Sequence, residues 1–329
     1  MKKLLIYGAA GYTGGMAAEH AAAAGLPLVL AGFEGNRADL AALAARLGAE
    51  TRIFSLDDPD GPAQHLAGVD VLLNAAGPFA HTAEPLMAAA IAAGVHYLDF
   101  SAELDTYREA LSLDAPARAA GVMLLPGSGG SVAMLGSLAA HAVRRVGQPK
   151  KISIALLVAG GMSRGSVASA SQSVVNEILH LVNGELLSRT APDLRDFDFG
   201  QGPLSSFPAT LPDLVTIQHA TGVEDIETYV HVTAGAFPVA GEAATTAGPS
   251  ASERDANRYR AVVEVTGADG RMVRSLLETV NGYSFTALAA AEAARRVLGG
   301  EVQAGFQTPA KLFGSDFAQT IADTSIIDL

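Results

Sequence analysis

Short apolar runs alternate with Ala/Leu-rich stretches of helical period through the first half of the chain. The runs Leu4–Tyr7, Leu28–Gly32, Thr51–Phe54, Val71–Asn74, Tyr97–Phe100 and Val122–Leu125 read as strands. Between them, Thr13–Ala24, Arg37–Leu47, Pro85–Ala93 and Leu104–Ala119 read as helices. Strands that are apolar on both faces and separated by helices are parallel and buried between helical layers. The fold class expected is α/β, a doubly wound parallel sheet.

The pattern changes near Pro149. Ile152–Val158, Tyr229–Thr233 and Tyr259–Thr266 read as strands and Val167–Leu181 as a helix. Thr266-Gly267-Ala268-Asp269-Gly270 is a turn, from which Arg271–Val280 runs back as a hairpin partner. Residues 1–148 and 149–282 are therefore read as separate domains, the second α+β with an antiparallel sheet. Gly235–Ser252, rich in Ala, Gly, Pro, Ser and Thr, reads as a mobile loop. Phe285–Leu298 is a strong helical pattern that stops at Gly299-Gly300.

The 329 residues include 22 Lys and Arg against 34 Asp and Glu, a formal net charge of −12. That balance argues against a nucleic-acid partner, whose phosphates require a basic footprint. There is no cysteine, so disulfides, thiolate metal sites and a cysteine nucleophile are excluded. The opening Met1-Lys2-Lys3-Leu4-Leu5-Ile6 imitates a signal peptide, but its apolar run ends at Gly8. No uninterrupted run of about 20 apolar residues follows, so no membrane partner is expected and a cytoplasmic protein is the default. The eight His show no metal-ligand spacing, and no GxSxG elbow occurs.

The first strand runs directly into Gly8-Ala9-Ala10-Gly11-Tyr12-Thr13-Gly14, a GxxGxxG spacing. Glycine is needed where backbone must approach a pyrophosphate and where a helix packs closely on a strand. The helix that follows offers its N–H groups and positive dipole end to phosphate. A glycine pattern alone also fits an ordinary tight turn. Placed after a strand and before a helix, at the head of a βαβ series, it marks a Rossmann-type site for NAD or NADP. Gly8, Ala10, Gly11, Tyr12, Thr13 and Gly14 are the residues expected to line it. Glu34, 20 residues after Gly14, can accept from the ribose hydroxyls of NAD. Asn36 and Arg37 can instead hold the 2′-phosphate of NADP, towards which the reading leans. Solvated loop and helix-start positions are the plainer alternative for Glu34 and Arg37.

Ligands of such sheets lie over the carboxyl ends of the strands. Asn74 is followed by Ala75, Ala76, Gly77, Pro78 and Phe79, small residues over which a cofactor can pass, with Phe79 as a wall for the nicotinamide. The segment also fits a simple strand-to-helix turn. Gly94–Glu103 carries the densest group of ionisable residues in this half, and Asp99, Ser101 and Glu103 stand at its carboxyl end. Ser101 capping a helix, with Glu103 in the first turn, is the structural alternative. The Gly/Ser loop Gly127–Ser131 can approach the nicotinamide or connect the domains; Asp99 is expected to brace it. Arg164, just before a helix, suits a carboxylate or phosphate of the substrate. Tyr229 and His231 lie on a strand of the second domain, with Tyr229 expected to face the substrate.

These residues resemble the saccharopine dehydrogenase-like reductases, in particular the trans-acting enoyl reductase branch. The resemblance rests on Gly8–Gly14, Asn74–Phe79 and His96-Tyr97-Leu98-Asp99. More specific are Ser163-Arg164-Gly165, Asp198-Phe199-Gly200-Gln201-Gly202-Pro203 and Gly305-Phe306-Gln307-Thr308-Pro309-Ala310. It implies a Rossmann domain, an inserted α+β domain, return of the C-terminal part, 283–329, to the first domain, and a nicotinamide cofactor. This chain departs from the family in three places. Phe33 follows Gly32 where relatives carry Arg, with two extra residues. The acids that relatives carry after the sixth strand are absent at Gly129-Gly130-Ser131 and Met134-Leu135-Gly136. The long basic helices of relatives are replaced by Gly235–Ser252.

The function expected is hydride transfer between a nicotinamide and a C=C or C=N bond of a small polar substrate, with the cofactor carrying the chemistry. The catalytic candidates are Asp99, Ser101, Glu103, Arg164 and Tyr229. A dinucleotide-binding accessory or sensor protein without turnover is the alternative class. The apolar face of an antiparallel sheet needs cover, so a homodimer through the second domain is expected.

Overall fold

The computed structural model describes residues 2–58, 61–172, 177–189, 193–233 and 247–329. In chain order the first elements are β1 (Leu4–Tyr7), α1 (Tyr12–Ala23), β2 (Leu28–Gly32), α2 (Arg37–Leu47), β3 (Glu50–Ile53), α3 (Gly61–Gln64), β4 (Val71–Asn74), α4 (Phe79–Ala93), β5 (His96–Asp99), α5 (Leu104–Ser112), α6 (Asp114–Ala119) and β6 (Met123–Leu125). Then come α7 (Gly130–Val143), β7 (Pro149–Val158), α8 (Arg164–Gln172), β8 (Leu179–Val182), β9 (Glu185–Ser188), β10 (Arg195–Asp198), β11 (Pro203–Pro208), α9 (Asp213–Thr221) and β12 (Asp225–Val232). The chain ends with α10 (Ala251–Ala256), β13 (Tyr259–Gly267), β14 (Met272–Thr279), α11 (Gly282–Leu298), β15 (Gly305–Phe306), α12 (Pro309–Phe313) and β16 (Ser325–Asp328).

Seven parallel strands form one sheet in the order β15-β6-β5-β4-β1-β2-β3. The order β3-β2-β1-β4-β5-β6 is that of a Rossmann sheet, with the chain reversing direction beside β1. Its central strands are enclosed on both faces: Leu4, Leu5, Ile6, Leu30, Leu72 and Leu73 have no exposed surface. Each such side chain contributes about 1.5–3 kcal/mol of burial. The edge strand β3 is polar and largely exposed, as an unpaired edge requires.

The other sheet runs β10-β11-β12-β7-β13-β14-β16, with the β8–β9 hairpin attached to β12. Only β7 and β12 are parallel within it. The chain falls into two compact units. One comprises residues 1–130, 163–172 and 286–307, and the other 131–162, 173–285 and 308–329. The change of unit comes at 130/131, ahead of the boundary at 148/149 read from the sequence. The reason is α7, which is tied to the C-terminal segment. Ser137 Oγ accepts from the Ala318 N–H at 3.3 Å, His141 pairs with Asp328 at 2.9 Å, and Arg144 reaches Ser315 at 3.1 Å. Residues 286–307 group with the Rossmann sheet and 308–329 with the other unit.

Several elements differ from the sequence-based expectation. The helix read over Val167–Leu181 is the shorter α8, and Leu179–Val182 is a strand. It enters a two-residue hairpin turn at Asn183-Gly184, both with positive φ (49° and 80°), the left-handed pair that such a turn requires. The helix read over Leu104–Ala119 breaks between α5 and α6, because Pro116 has no N–H to give the Ser112 carbonyl. Helix α4 begins at Phe79, so Pro85 lies inside it instead of opening it. Of the loop expected at Gly235–Ser252, residues 235–246 lie outside the described residues. Ser250 caps α10 through a capping box with Glu253.

Candidate functional site

The glycine loop after β1 is shaped by what its glycines cannot carry. Gly8 has φ +84°, and a Cβ there would lie 2.8 Å from the Ala76 nitrogen and 2.9 Å from the Ala75 carbonyl carbon. A Cβ on Gly14 would collide with the Gly8 carbonyl oxygen and stand 3.1 Å from Ala75 Cβ. The loop therefore lies flat against the segment after β4, a closeness only glycine permits. Gly11 differs: its backbone is extended (φ −74°, ψ 164°) and its residue exposed. A Cβ there meets only the Gly8 oxygen, at 3.1 Å. Gly11 is the N-cap of α1, and no side chain caps that helix. A backbone cradle ahead of an uncapped 12-residue helix fits a pyrophosphate. Ala10, Tyr12 and Thr13 are half-buried along the same turn.

At the end of β2, Glu34 and Arg37 form a two-bond pair, with Nε to Oε1 and Nη2 to Oε2 both at 2.7 Å. Each holds the other charged: the Arg37 guanidinium pulls the Glu34 carboxyl down, and Glu34 pushes Arg37 up. Both side chains are exposed, and Asn36 beside them is half-buried. The ring of Phe33, 52% exposed, lies so close over Gly35 that a Cβ on that glycine would meet it at 2.5 Å.

The segment after β4 is held by Asn74. Its Oδ1 accepts from the Ala76 N–H (3.0 Å) and its amide donates to Thr82 Oγ1 (3.0 Å) and the Tyr97 hydroxyl (3.2 Å). Ala75, Ala76 and Pro78 are half-buried and Gly77 exposed, and the Gly77–Pro78 peptide is cis. Phe79 is buried, 8% exposed, as the first residue of α4, so its ring offers little wall.

Asp99 has no exposed surface. One carboxylate oxygen accepts from the N–H of Gly127 (2.7 Å) and from the N–H (2.9 Å) and hydroxyl (2.8 Å) of Ser101. The other accepts from Tyr97 OH at 2.9 Å. Burial pushes its pKa up to about 6, against the pull of these donors. Ser101 is 2% exposed, its hydroxyl spent on Asp99. The structure thus turns Asp99 and Ser101 towards each other and gives neither an atom with which to touch a ligand. Glu103 differs. Its Oε2 accepts from the Ala102 N–H (3.0 Å), while its Oε1 is enclosed with no partner among the described residues.

Arg164 stands exposed at the start of α8 and groups with the Rossmann unit, not with the second domain as expected. Tyr229 is 2% exposed inside the other unit. Its hydroxyl accepts from Arg189 (3.0 Å) and its ring leans on Phe197 (5.0 Å between centroids), so it belongs to that unit's core. Its neighbour Glu227 draws in Lys151, Arg189 and Arg195 at 3.0, 3.5 and 3.8 Å. Burial works to raise the Glu227 carboxyl, but Lys151 and Arg189, with the Ser153 hydroxyl, hold it below its usual value. A cavity of about 570 Å³ opens on this sheet, bordered by Asp196, Asp198, Glu264 and Arg274.

Three sequence segments singled out earlier carry local structural bonds. Asp198 Oδ1 accepts from the N–H groups of Gly200 (2.8 Å) and Gly202 (3.0 Å), closing the β10–β11 turn. Gly305–Ala310 forms the edge strand β15 and the Thr308 cap of α12. Ser163 Oγ accepts from the Ser166 N–H at 3.2 Å and starts α8. Reading the sequence missed Asn74, Tyr97 and Thr82 as supports; an Asn at a strand end ahead of small residues was the available signal. Among the described residues no His, Asp and Glu cluster is placed to hold a metal, and no helix is long and apolar enough to cross a membrane.

A Rossmann sheet with this cradle is the frame of a dinucleotide-binding domain. Residues 4–125 match the saccharopine dehydrogenase NADP binding domain. By structure the chain is similar to apo saccharopine dehydrogenase (L-Glu forming) from Saccharomyces cerevisiae, at TM-score 0.67 and 13% identity over 100% of both chains. It is also similar to a putative myo-inositol dehydrogenase from Sinorhizobium meliloti 1021, at TM-score 0.51 and 13% identity over 98% of this chain and 96% of the other. A probable dehydrogenase from Thermotoga maritima matches at TM-score 0.50 and 13% identity, over 96% and 92%. Among proteins with curated descriptions, none matches the chain by sequence.

Proposed function

We propose that this protein is an NADP(H)-dependent reductase acting on a C=C or C=N bond of a small polar substrate. The observation that carries the dinucleotide part is the cradle in which Gly8 and Gly14 leave no room for a Cβ while Gly11 faces outward. When bound, the cofactor supplies the hydride. Gly8, Ala10, Gly11, Tyr12, Thr13 and Gly14 hold its pyrophosphate, and Ala75–Phe79 lie under its nicotinamide half. Phe33 offers a face to the adenine, and Arg37, released from Glu34, pairs with the 2′-phosphate. Glu103 is the proton-holding candidate, having one enclosed oxygen without a partner among the described residues. Arg164 is the cation that orients an anionic substrate.

The test is a screen of unsaturated and imino acids for NADPH oxidation. Glu103→Gln should lower turnover by roughly 10²–10⁴-fold, the contribution of a positioned acid. Arg164→Ala should weaken substrate binding and spare NADPH. Full activity in both variants would remove these assignments. A non-catalytic sensor is the second reading, favoured by the absence of any acid in the loop after β6 and by the enclosure of Asp99. NADPH binding without turnover across the screen would select it. We also read the second unit as a homodimer contact, on the evidence of Met272, Ile327 and Leu329, which are 47%, 50% and 57% exposed at the β14–β16 end of its sheet.

A further inference from the structure

The loops after β4, β5 and β6 leave the Rossmann sheet side by side, because these strands are parallel neighbours. One chain of hydrogen bonds joins all three. The Ala76 N–H donates to Asn74 Oδ1, the Asn74 amide to Tyr97 OH, and Tyr97 OH to Asp99 Oδ2, at 3.0, 3.2 and 2.9 Å. The far end of Asp99 takes the Gly127 N–H at 2.7 Å. The Asp99 carbonyl accepts from both the N–H and the hydroxyl of Ser128, each at 3.0 Å. A branch secures the first loop, as Thr82 Oγ1 accepts from Asn74 and donates to the Ala76 carbonyl at 2.6 Å.

Every side chain on the main path is enclosed: Asn74, Tyr97, Asp99 and Ser128 have no exposed surface. Bonds in such surroundings are strong and costly to leave unmade. The loops they hold cannot hold themselves. Ala75, Ala76 and Gly77 have little side chain, and Gly127 and Gly130 sit at φ +65° and +70°. Gly129 packs closely against Thr286, whose carbonyl oxygen would lie 2.6 Å from a Cβ there.

The strand order says which part of a dinucleotide this concerns. The pyrophosphate cradle follows β1, and the adenosine reading residues follow β2 on one side of it. Strands β4, β5 and β6 lie on the other side, under the nicotinamide half. We propose that Asn74, Tyr97 and Asp99 form an internal brace that fixes the spacing of loops 75–79 and 127–130, and thereby positions the nicotinamide end of the cofactor. They are positioning residues, and Asp99 is not a proton donor to substrate. The inference rests on reading the glycine loop as a dinucleotide site.

Fragments of the cofactor separate the two claims. Calorimetric titration would compare NADPH and NADH with 2′-phospho-ADP-ribose and ADP-ribose, which lack the nicotinamide. Tyr97→Phe removes one hydroxyl and cuts the brace in the middle while leaving Asp99 its bonds to Gly127 and Ser101. It should weaken the intact cofactor about tenfold, the scale of one enclosed hydrogen bond, and leave the fragments unchanged. Asp99→Asn should do at least as much; if it fails to fold, Tyr97→Phe alone decides. Gly11→Val, in contrast, should lose intact cofactor and fragment together. The brace is refuted if Tyr97→Phe binds intact cofactor like the wild type, or loses cofactor and fragment in equal proportion. Wild-type protein that binds neither cofactor nor fragment would overturn the dinucleotide site itself, and the brace with it.

Discussion

Gly11 and its neighbours show how much depends on where a single Cβ points. Gly8→Ala and Gly14→Ala drive a methyl into backbone of the adjoining segment, so both should destabilise the fold as overpacking does, by about 1–3 kcal/mol. Gly11→Val has an ordinary extended backbone and one tight contact. It should keep near-wild-type thermal stability and lose NADPH binding. A Gly11→Val protein that binds NADPH normally would disprove the cradle. The Glu34–Arg37 pair makes a second forecast, for cofactor choice. Glu34→Gln frees the guanidinium and should tighten NADPH, whereas Arg37→Ala should weaken NADPH and leave NADH unchanged. Tighter NADH binding in the wild type, indifferent to Arg37→Ala, would hand the site to Glu34. Asp213 tests burial directly. It has no exposed surface, neither carboxylate oxygen has a partner among the described residues, and burial lifts its pKa to about 7. A carboxyl whose folded pKa is raised stabilises the fold fully below its unfolded value near 4. That contribution is lost as pH rises towards 7. Asp213→Asn imitates the protonated form. It should match the wild type at pH 4 and exceed it at pH 8 by on the order of 1–4 kcal/mol. Equal pH dependence of denaturant midpoints in the two proteins would refute this.

The elements divide by how they are stabilised. Strands β1, β2 and β4 were legible to the residue because a strand buried on both faces reads as a nearly continuous apolar run. Helix α2 was equally plain, ending at Gly48 in the left-handed conformation expected of a C-terminal glycine. The short strands β8 to β11 were not, since two-sided environments of mixed polarity erase the period-2 signal. Their turns carried the information instead, at Asn183-Gly184 and Asp198–Gly202. Gly184 sits at φ +80°, so Gly184→Ala should cost about 1 kcal/mol or more and loosen the hairpin, read as faster amide exchange across 179–188. Helix α7 went unread because it is almost uniformly apolar: Val132, Ala133, Met134 and Leu135 are all at most 1% exposed, leaving no polar face to set a period.

At the scale of the molecule, the exposed Met272, Ile327 and Leu329 favour a dimer through the second unit. A sedimentation mass of twice 33.6 kDa at micromolar concentration is expected, and Ile327→Asp should return it to the monomer value. A monomer in the wild type would leave that sheet end to another purpose. The amino-acid sequence by itself determined the parallel sheet, the glycine cradle and the dinucleotide class, because each follows from local apolar runs and from glycines spaced within one turn. Only the tertiary structure decided what the polar residues do. Asp99 read in the sequence both as a catalytic candidate and as a brace for the Gly127–Ser131 loop, and in the fold the Gly127 N–H donates to its enclosed carboxylate. Tyr229 looked like a substrate contact, and Arg189 and Phe197 enclose it. A polar side chain's role is set by the groups that reach it across the fold, and those partners leave no periodic mark in the sequence.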